Sequence, residues 1–124
     1  MAGSTADCVG AAQGPSVLLT HGTTDGLGPF EGSAVARDII VAEWGMGEPT
    51  TLSADETHTW SGYGNEAGTR FEFLEHDWET SFMLGSNALA GHCVPGSDAF
   101  LGCGADNPVV WGDALIAFYL AHPR

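Results

Sequence analysis

Apolar runs and polar punctuation divide the chain into a short list of elements. Ser16-Val17-Leu18-Leu19-Thr20-His21 follows a proline and is a continuous apolar run, the pattern of a strand covered on both faces. The turn formers His21-Gly22-Thr23-Thr24-Asp25-Gly26-Leu27-Gly28-Pro29 come next and read as a loop. From Glu31 to Trp44 the period becomes helical. Val35, Ile39, Ala42 and Met46 recur at spacings of four, three and four, and Arg37, Asp38 and Glu43 fall elsewhere, which predicts an amphipathic helix with that apolar stripe. Gly45 stands where a left-handed C-cap glycine belongs.

Residues 47–68 are irregular and rich in Thr, Ser, Gly and acids, and read as one long surface loop. Arg70-Phe71-Glu72-Phe73-Leu74-Glu75-His76 alternates like a strand, with Phe71 and Phe73 on the opposite phase to Arg70, Glu72 and Leu74. A partner strand is expected at Ser81-Phe82-Met83-Leu84, resuming near Leu89, and loop again at Ala90-Gly91-His92-Cys93-Val94-Pro95-Gly96-Ser97. Asn107-Pro108 reads as an N-cap with proline at the first helical position, opening a helix over residues 109–121 that His122-Pro123 stops. That helix is apolar on nearly every side and therefore needs cover on nearly every side, from an oligomer interface or a further domain half. Strand, helix, strand pair, helix is an α/β order with few strands and two main helices.

Length and composition narrow the class. The 124 residues, 44% hydrophobic, make one globular domain over 15–124, preceded by a small-residue, Gly-rich arm over 1–14 that is expected to be poorly ordered. Sixteen acids face three arginines (Arg37, Arg70, Arg124) and no lysine, a formal net charge of -13. Such a charge repels phosphate backbones and anionic lipid, so nucleic acid and membrane surfaces are excluded as partners. No stretch approaches the roughly 20 apolar residues of a membrane span. The first residues lack the basic end and apolar run of a secretory signal. Three cysteines leave two readings open: a Cys93–Cys103 disulfide with Cys8 left over, or three free thiols.

The segment from Pro15 to Phe30 resembles the acid-bearing strand and loop of α/β-hydrolases: an apolar strand, HGxxD, then proline and an aromatic residue. Within that superfamily it is similar to secreted polyhydroxyalkanoate depolymerases and feruloyl or acetylxylan esterases. Those carry a Gly-His step followed by Pro-Gly, here Gly91-His92-Cys93-Val94-Pro95-Gly96, and then a last helix. The resemblance implies a truncated α/β-hydrolase sheet, with Asp25 as the triad acid, His92 as the triad base, a small-molecule ester as substrate and a secreted origin. G-x-S-x-G is absent, since Ser33, Ser86 and Ser97 all lack the flanking glycine pair. The nucleophile-bearing N-terminal half, with its oxyanion loop, is therefore expected to be missing.

Other groups carry weaker chemistry. His21 opens HGxxD and reads as structural at the strand end. His58, His76, His92, Asp25 and Asp77 hold enough ligand atoms for a zinc-type site, though none has HExxH or CxxC spacing, and such histidines are more often solvated. No cofactor is expected beyond that possible divalent metal. Cys93 follows His92 directly, but adjacent side chains in extended chain point apart, so half of a disulfide clip is favoured over a Cys-His nucleophile. Trp44, Trp60, Trp78, Trp111 and Phe30 read as core or interface before pocket. Glu72, Glu75, Asp77 and Glu79 read as a solvated acidic face. Three functions follow. The chain is an ester hydrolase by descent, its nucleophile supplied by a complementing N-terminal half or a second copy. It is a stand-alone hydrolase of esters or phosphoesters, working through Asp25–His92 or a His/Asp-held metal. Or it is an inactive oligomerising fragment. The apolar terminal helix and an unpaired sheet edge predict an obligate homo-oligomer, a two-fold dimer.

Overall fold

In the computed structural model, residues 14–80 and 89–123 are described. They form β1 (Val17–Gly22), α1 (Phe30–Glu43), β2 (Thr50–Ala54), β3 (His58–Gly64), β4 (Arg70–His76) and α2 (Trp111–Ala121). The sheet order is β1-β4-β3-β2. β1 runs parallel to β4, with Val17 opposite Phe71 and Gly22 opposite His76, and the other two pairings are antiparallel. The arrangement is a small α/β fold. The strand expected at residues 81–84, Ser86, Cys8 and all but the last residue of the arm lie outside the described residues. Leu89 belongs to a turn rather than to a resumed strand.

β2 and β3 occupy the stretch expected to be a long loop. Its threonines and aromatics (Thr50, Thr51, Thr59, Trp60, Tyr63) are strand formers whose polarity imitates a loop, because β2 is a largely exposed edge strand. Asp55 makes the turn between them. One carboxylate oxygen accepts from the Thr57 N–H at 2.7 Å, the Thr57 hydroxyl at 2.7 Å and His58 Nδ1 at 2.9 Å. Against those donors, led by Thr57, the carboxyl is held down to about 2.

Both faces of the sheet are covered, which is why β4 is buried along most of its length. On one face Phe71, Phe73 and Tyr63 pack with Val17 and Leu19 of β1 and with Phe30, Ile40, Val41 and Met46 from α1 and its end. On the other, Leu74, Trp78, Val109 and Ala114 pack with Trp60 and Trp111. The tryptophans and Phe30 are thus core, as their size favours. The acidic run is mixed: Asp77 and Glu79 are exposed, but Glu72 is 7% exposed and bonds Arg70 Nε at 3.0 Å.

α1 presents the face opposite to the expected stripe. Phe30, Ser33, Arg37, Ile40 and Val41 point to the sheet side, whereas Val35 and Ile39 are exposed at 57% and 38%. Arg37 holds the inner face because its guanidinium lies 5.6 Å over the Phe73 ring and its stem covers apolar surface. The helix closes as expected on Gly45 (φ 59°), with Met46 N–H donating to Val41 at 2.9 Å and Gly45 N–H to Ala42 at 3.2 Å.

α2 begins at Trp111, later than residues 107–108 suggest. Asn107 does not cap it; its side-chain oxygen accepts from Gly96 N–H at 3.0 Å and ties the approach to the loop after His92. Ala114 and Phe118 are the buried face, and Ile116, Tyr119 and Leu120 stay exposed at 63%, 61% and 77%.

Candidate active site

β1 ends at Gly22, and its continuation is fixed to β4 by the Thr23 N–H, which donates to the His76 carbonyl at 2.8 Å. Three residues beyond the strand, Asp25 folds back on its own loop. Its Oδ1 accepts from the N–H groups of Leu27 at 2.9 Å and Gly28 at 3.0 Å. Its Oδ2 faces His92 Nδ1 at 2.8 Å. A carboxylate has no proton to give, so Nδ1 donates and the neutral ring carries its lone pair on Nε2. The Asp25 side chain is 6% exposed and that of His92 51%. Burial opposes ionisation of Asp25, but the Gly28 N–H, the His92 ring and the Leu27 N–H together outweigh it and hold the carboxyl below its ordinary value.

Two glycines permit this contact. Gly22 and Gly91 are both buried, and the two loops cross there without side chains. A Cβ on Gly91 would stand 2.6 Å from the Asp25 nitrogen, and one on Gly22 would overlap the Gly91 carbonyl. After His92 the chain is clamped by the Cys93–Cys103 disulfide and by the flanking pairs Val94 N–H to Leu101 (2.8 Å) and Cys103 N–H to Val94 (3.0 Å). The free-thiol reading of this pair is set aside. Cys93, as half of the disulfide, is not a nucleophile.

His21 braces the acid loop. Its Nε2–H donates to the Gly28 carbonyl at 2.6 Å, its Nδ1 accepts from the Ser33 hydroxyl at 2.5 Å, and Asp25 Oδ2 lies 3.3 Å from Nε2. That is the structural role its position suggested.

No protein-family model, curated protein or solved structure matches the chain.

A cavity of about 290 Å³ lies beside the pair, lined by His92, Asp25, Thr20, His76, Val94 and Leu101 among others. Among the described residues, no serine, threonine or cysteine hydrogen-bonds to the His92 ring. Thr20 Oγ1 and both ring nitrogens of His76 are buried without hydrogen-bond partners among the described residues. His76 is 1% exposed and stacks on Trp78 with ring centres 5.0 Å apart. Burial pushes its pKa down to about 4, against smaller opposing effects of the Trp78 backbone, which lies outside hydrogen-bond geometry, and of Asp77.

Of the histidines expected to be solvated, His58 and His76 are instead buried. His58 is 5% exposed, and both ring nitrogens are engaged, Nδ1 with Asp55 and Nε2 with Ser53 at 2.8 Å. Among the described residues no three His, Cys, Asp or Glu side chains converge as a metal-binding group, so the zinc-type ligand set is not assembled there. Thr20 was hidden in an apolar run, and its one legible sign is that it is the sole polar residue between Leu19 and HGxxD.

Proposed function

We propose that the chain is an ester hydrolase of α/β-hydrolase descent in which Asp25 and His92 are the acid–base pair. The observation that carries this reading is the 2.8 Å bond from His92 Nδ1 to a buried, doubly N–H-bonded Asp25 carboxylate beside a cavity. The carboxylate fixes the tautomer and stabilises the imidazolium that forms. His92 Nε2 takes the proton of an attacking hydroxyl as its oxygen bonds to the ester carbonyl carbon, and returns it to the departing alkoxide as the acyl–oxygen bond breaks. The hydroxyl comes from outside the pair, from a second copy of the chain or from water. The substrate is a small-molecule ester.

We also propose a two-fold dimer, supported by the exposed Ile116, Tyr119 and Leu120 on α2. Among the described residues no helix is long and apolar enough to cross a membrane.

Purified protein on a panel of nitrophenyl esters and phosphoesters, with and without chelator, tests the hydrolase reading. Ester cleavage that survives chelator and falls about 100-fold or more in His92→Ala is expected. Equal rates in His92→Ala, or no ester cleavage by the unaltered protein, would contradict it.

A further inference from the structure

The loop after His92 carries a backbone outlier. Leu101 has a φ of 61°, in the left-handed region, and among the described residues it is the only non-glycine there. A side chain as bulky as leucine is rarely held in that region, whereas glycine adopts it freely. The surrounding loop leaves Leu101 no room to relax. Its carbonyl accepts the Val94 N–H at 2.8 Å, the Ser97 carbonyl accepts the Gly104 N–H at 2.9 Å, and the Ala99 carbonyl accepts the Gly102 N–H at 2.7 Å. Gly102 is packed so closely that a Cβ would overlap the Ser97 carbonyl, and the Cys93–Cys103 disulfide closes the loop. Outliers of this kind persist where the surroundings over-determine them, and they gather at ligand sites. A second observation says what the side chain is held for. Leu101 is half-buried and lines two cavities, the one of about 290 Å³ beside His92 and another of about 250 Å³ that Thr80, Ser97 and Phe100 also line.

We propose that Leu101 is a specificity-determining residue: its side chain partitions the two cavities and so limits the length of a neutral aliphatic chain bound beside His92. No lysine or arginine lines the first cavity and the Asp25 carboxylate does, so an anion gains nothing there. Its apolar side chains are Val94, Leu101 and Cys93, all on the disulfide loop, and they suit a short hydrocarbon chain. Truncating Leu101 opens the way into the second cavity, where a longer chain can run on. On the hydrolase reading that chain is one arm of the ester, which makes the substrate class an uncharged ester with a short aliphatic arm. That class rests on the hydrolase reading; the length limit does not.

The test is an NMR titration of the isotope-labelled full chain with three neutral ketones, acetone, 2-pentanone and 2-octanone, in the unaltered protein, Leu101→Gly and Leu101→Ala. In the unaltered protein 2-pentanone is expected to shift the Val94 and Leu101 methyls and the His92 ring. It should bind at least as tightly as 2-octanone, although in an unlimited apolar site each added methylene would tighten binding about fourfold. In Leu101→Gly, 2-octanone should gain about tenfold or more relative to 2-pentanone, with Leu101→Ala intermediate. The length limit is read in the unaltered protein, so a variant that fails to fold does not remove the test. Three results would overturn the proposal: 2-octanone binding severalfold tighter than 2-pentanone in the unaltered protein, shifts that are absent or map away from Val94 and His92, or folded variants that change all three ketones by the same factor. Turnover is not read here, so absence of ester cleavage in the unaltered protein would sink the hydrolase reading and leave the length limit to be judged by the titration.

Discussion

Asp25 Oδ2 and His92 Nδ1 lie 2.8 Å apart although 67 positions separate them in the chain. The distance is set by three local devices: the parallel pairing of β1 with β4, the glycine crossing of Gly22 with Gly91, and the disulfide clip that begins one residue after His92. Each device can be removed separately.

Gly91→Ala places a methyl group 2.6 Å from the Asp25 nitrogen and 2.8 Å from both the Thr24 carbonyl carbon and its Oγ1, and the first two are backbone atoms that cannot swing aside. The loops must part. Loss of stability of about 1–3 kcal/mol is expected, with loss of ester cleavage comparable to that of His92→Ala. Urea melts beside ester assays on the same preparation would check it. Unchanged activity would show that the crossing does not position His92.

Opening Cys93–Cys103, across a sequence separation of 10, should cost about 2–3 kcal/mol in the chain-entropy account. Thermal melts with and without reductant, and of Cys103→Ser, read this directly. Reductant should also lower ester cleavage, because the clip holds the residue next to His92.

His76 gives stability a pH dependence. Its folded value of about 4 lies below the 6.5 of an ordinary histidine, so the unfolded chain takes up that proton first as pH falls. The contribution is complete above about 6.5 and is lost as pH drops through 4, a swing on the order of 3 kcal/mol. Asp25 adds a loss of the same sign at lower pH, since its folded carboxyl is held below the ordinary 3.8. Urea unfolding across that range should show the slope between 6.5 and 4 in the unaltered protein and a flatter one in His76→Phe.

The legible parts of the fold were those with one dominant signal. β1 opens on the apolar Val17-Leu18-Leu19, β4 alternates aromatics, and Gly45 marks a helix end. HGxxD and GHxxPG singled out Asp25 and His92, and the fold brings those two side chains within 2.8 Å. β2 and β3 were not, since threonine satisfies a half-exposed strand as well as apolar residues do, and composition alone reads it as loop. The inner face of α1 was hidden for a related reason: Ser33 and Arg37 look like solvent residues until His21 and the Phe73 ring are seen as their partners. Burial of His58 and His76 depended on their cross-strand pairing, with Trp78 packed against both, and no local pattern announces that.

The exposed face of α2 predicts association. Ile116→Glu or Leu120→Glu, at positions 63% and 77% exposed, should leave the fold intact and convert a dimer to a monomer. Light scattering at micromolar concentration measures it. A monomeric mass for the unaltered chain would remove the dimer from the account.

The orientation of the neutral His92 ring is the most direct test of the acid–base pair, and nitrogen-15 NMR of the imidazole reads it. The Asp25 contact predicts a proton on Nδ1, shifted downfield by its bond to the carboxylate, a bare Nε2, and loss of that signature in Asp25→Ala. A ring protonated on Nε2, or a spectrum indifferent to Asp25→Ala, would contradict it.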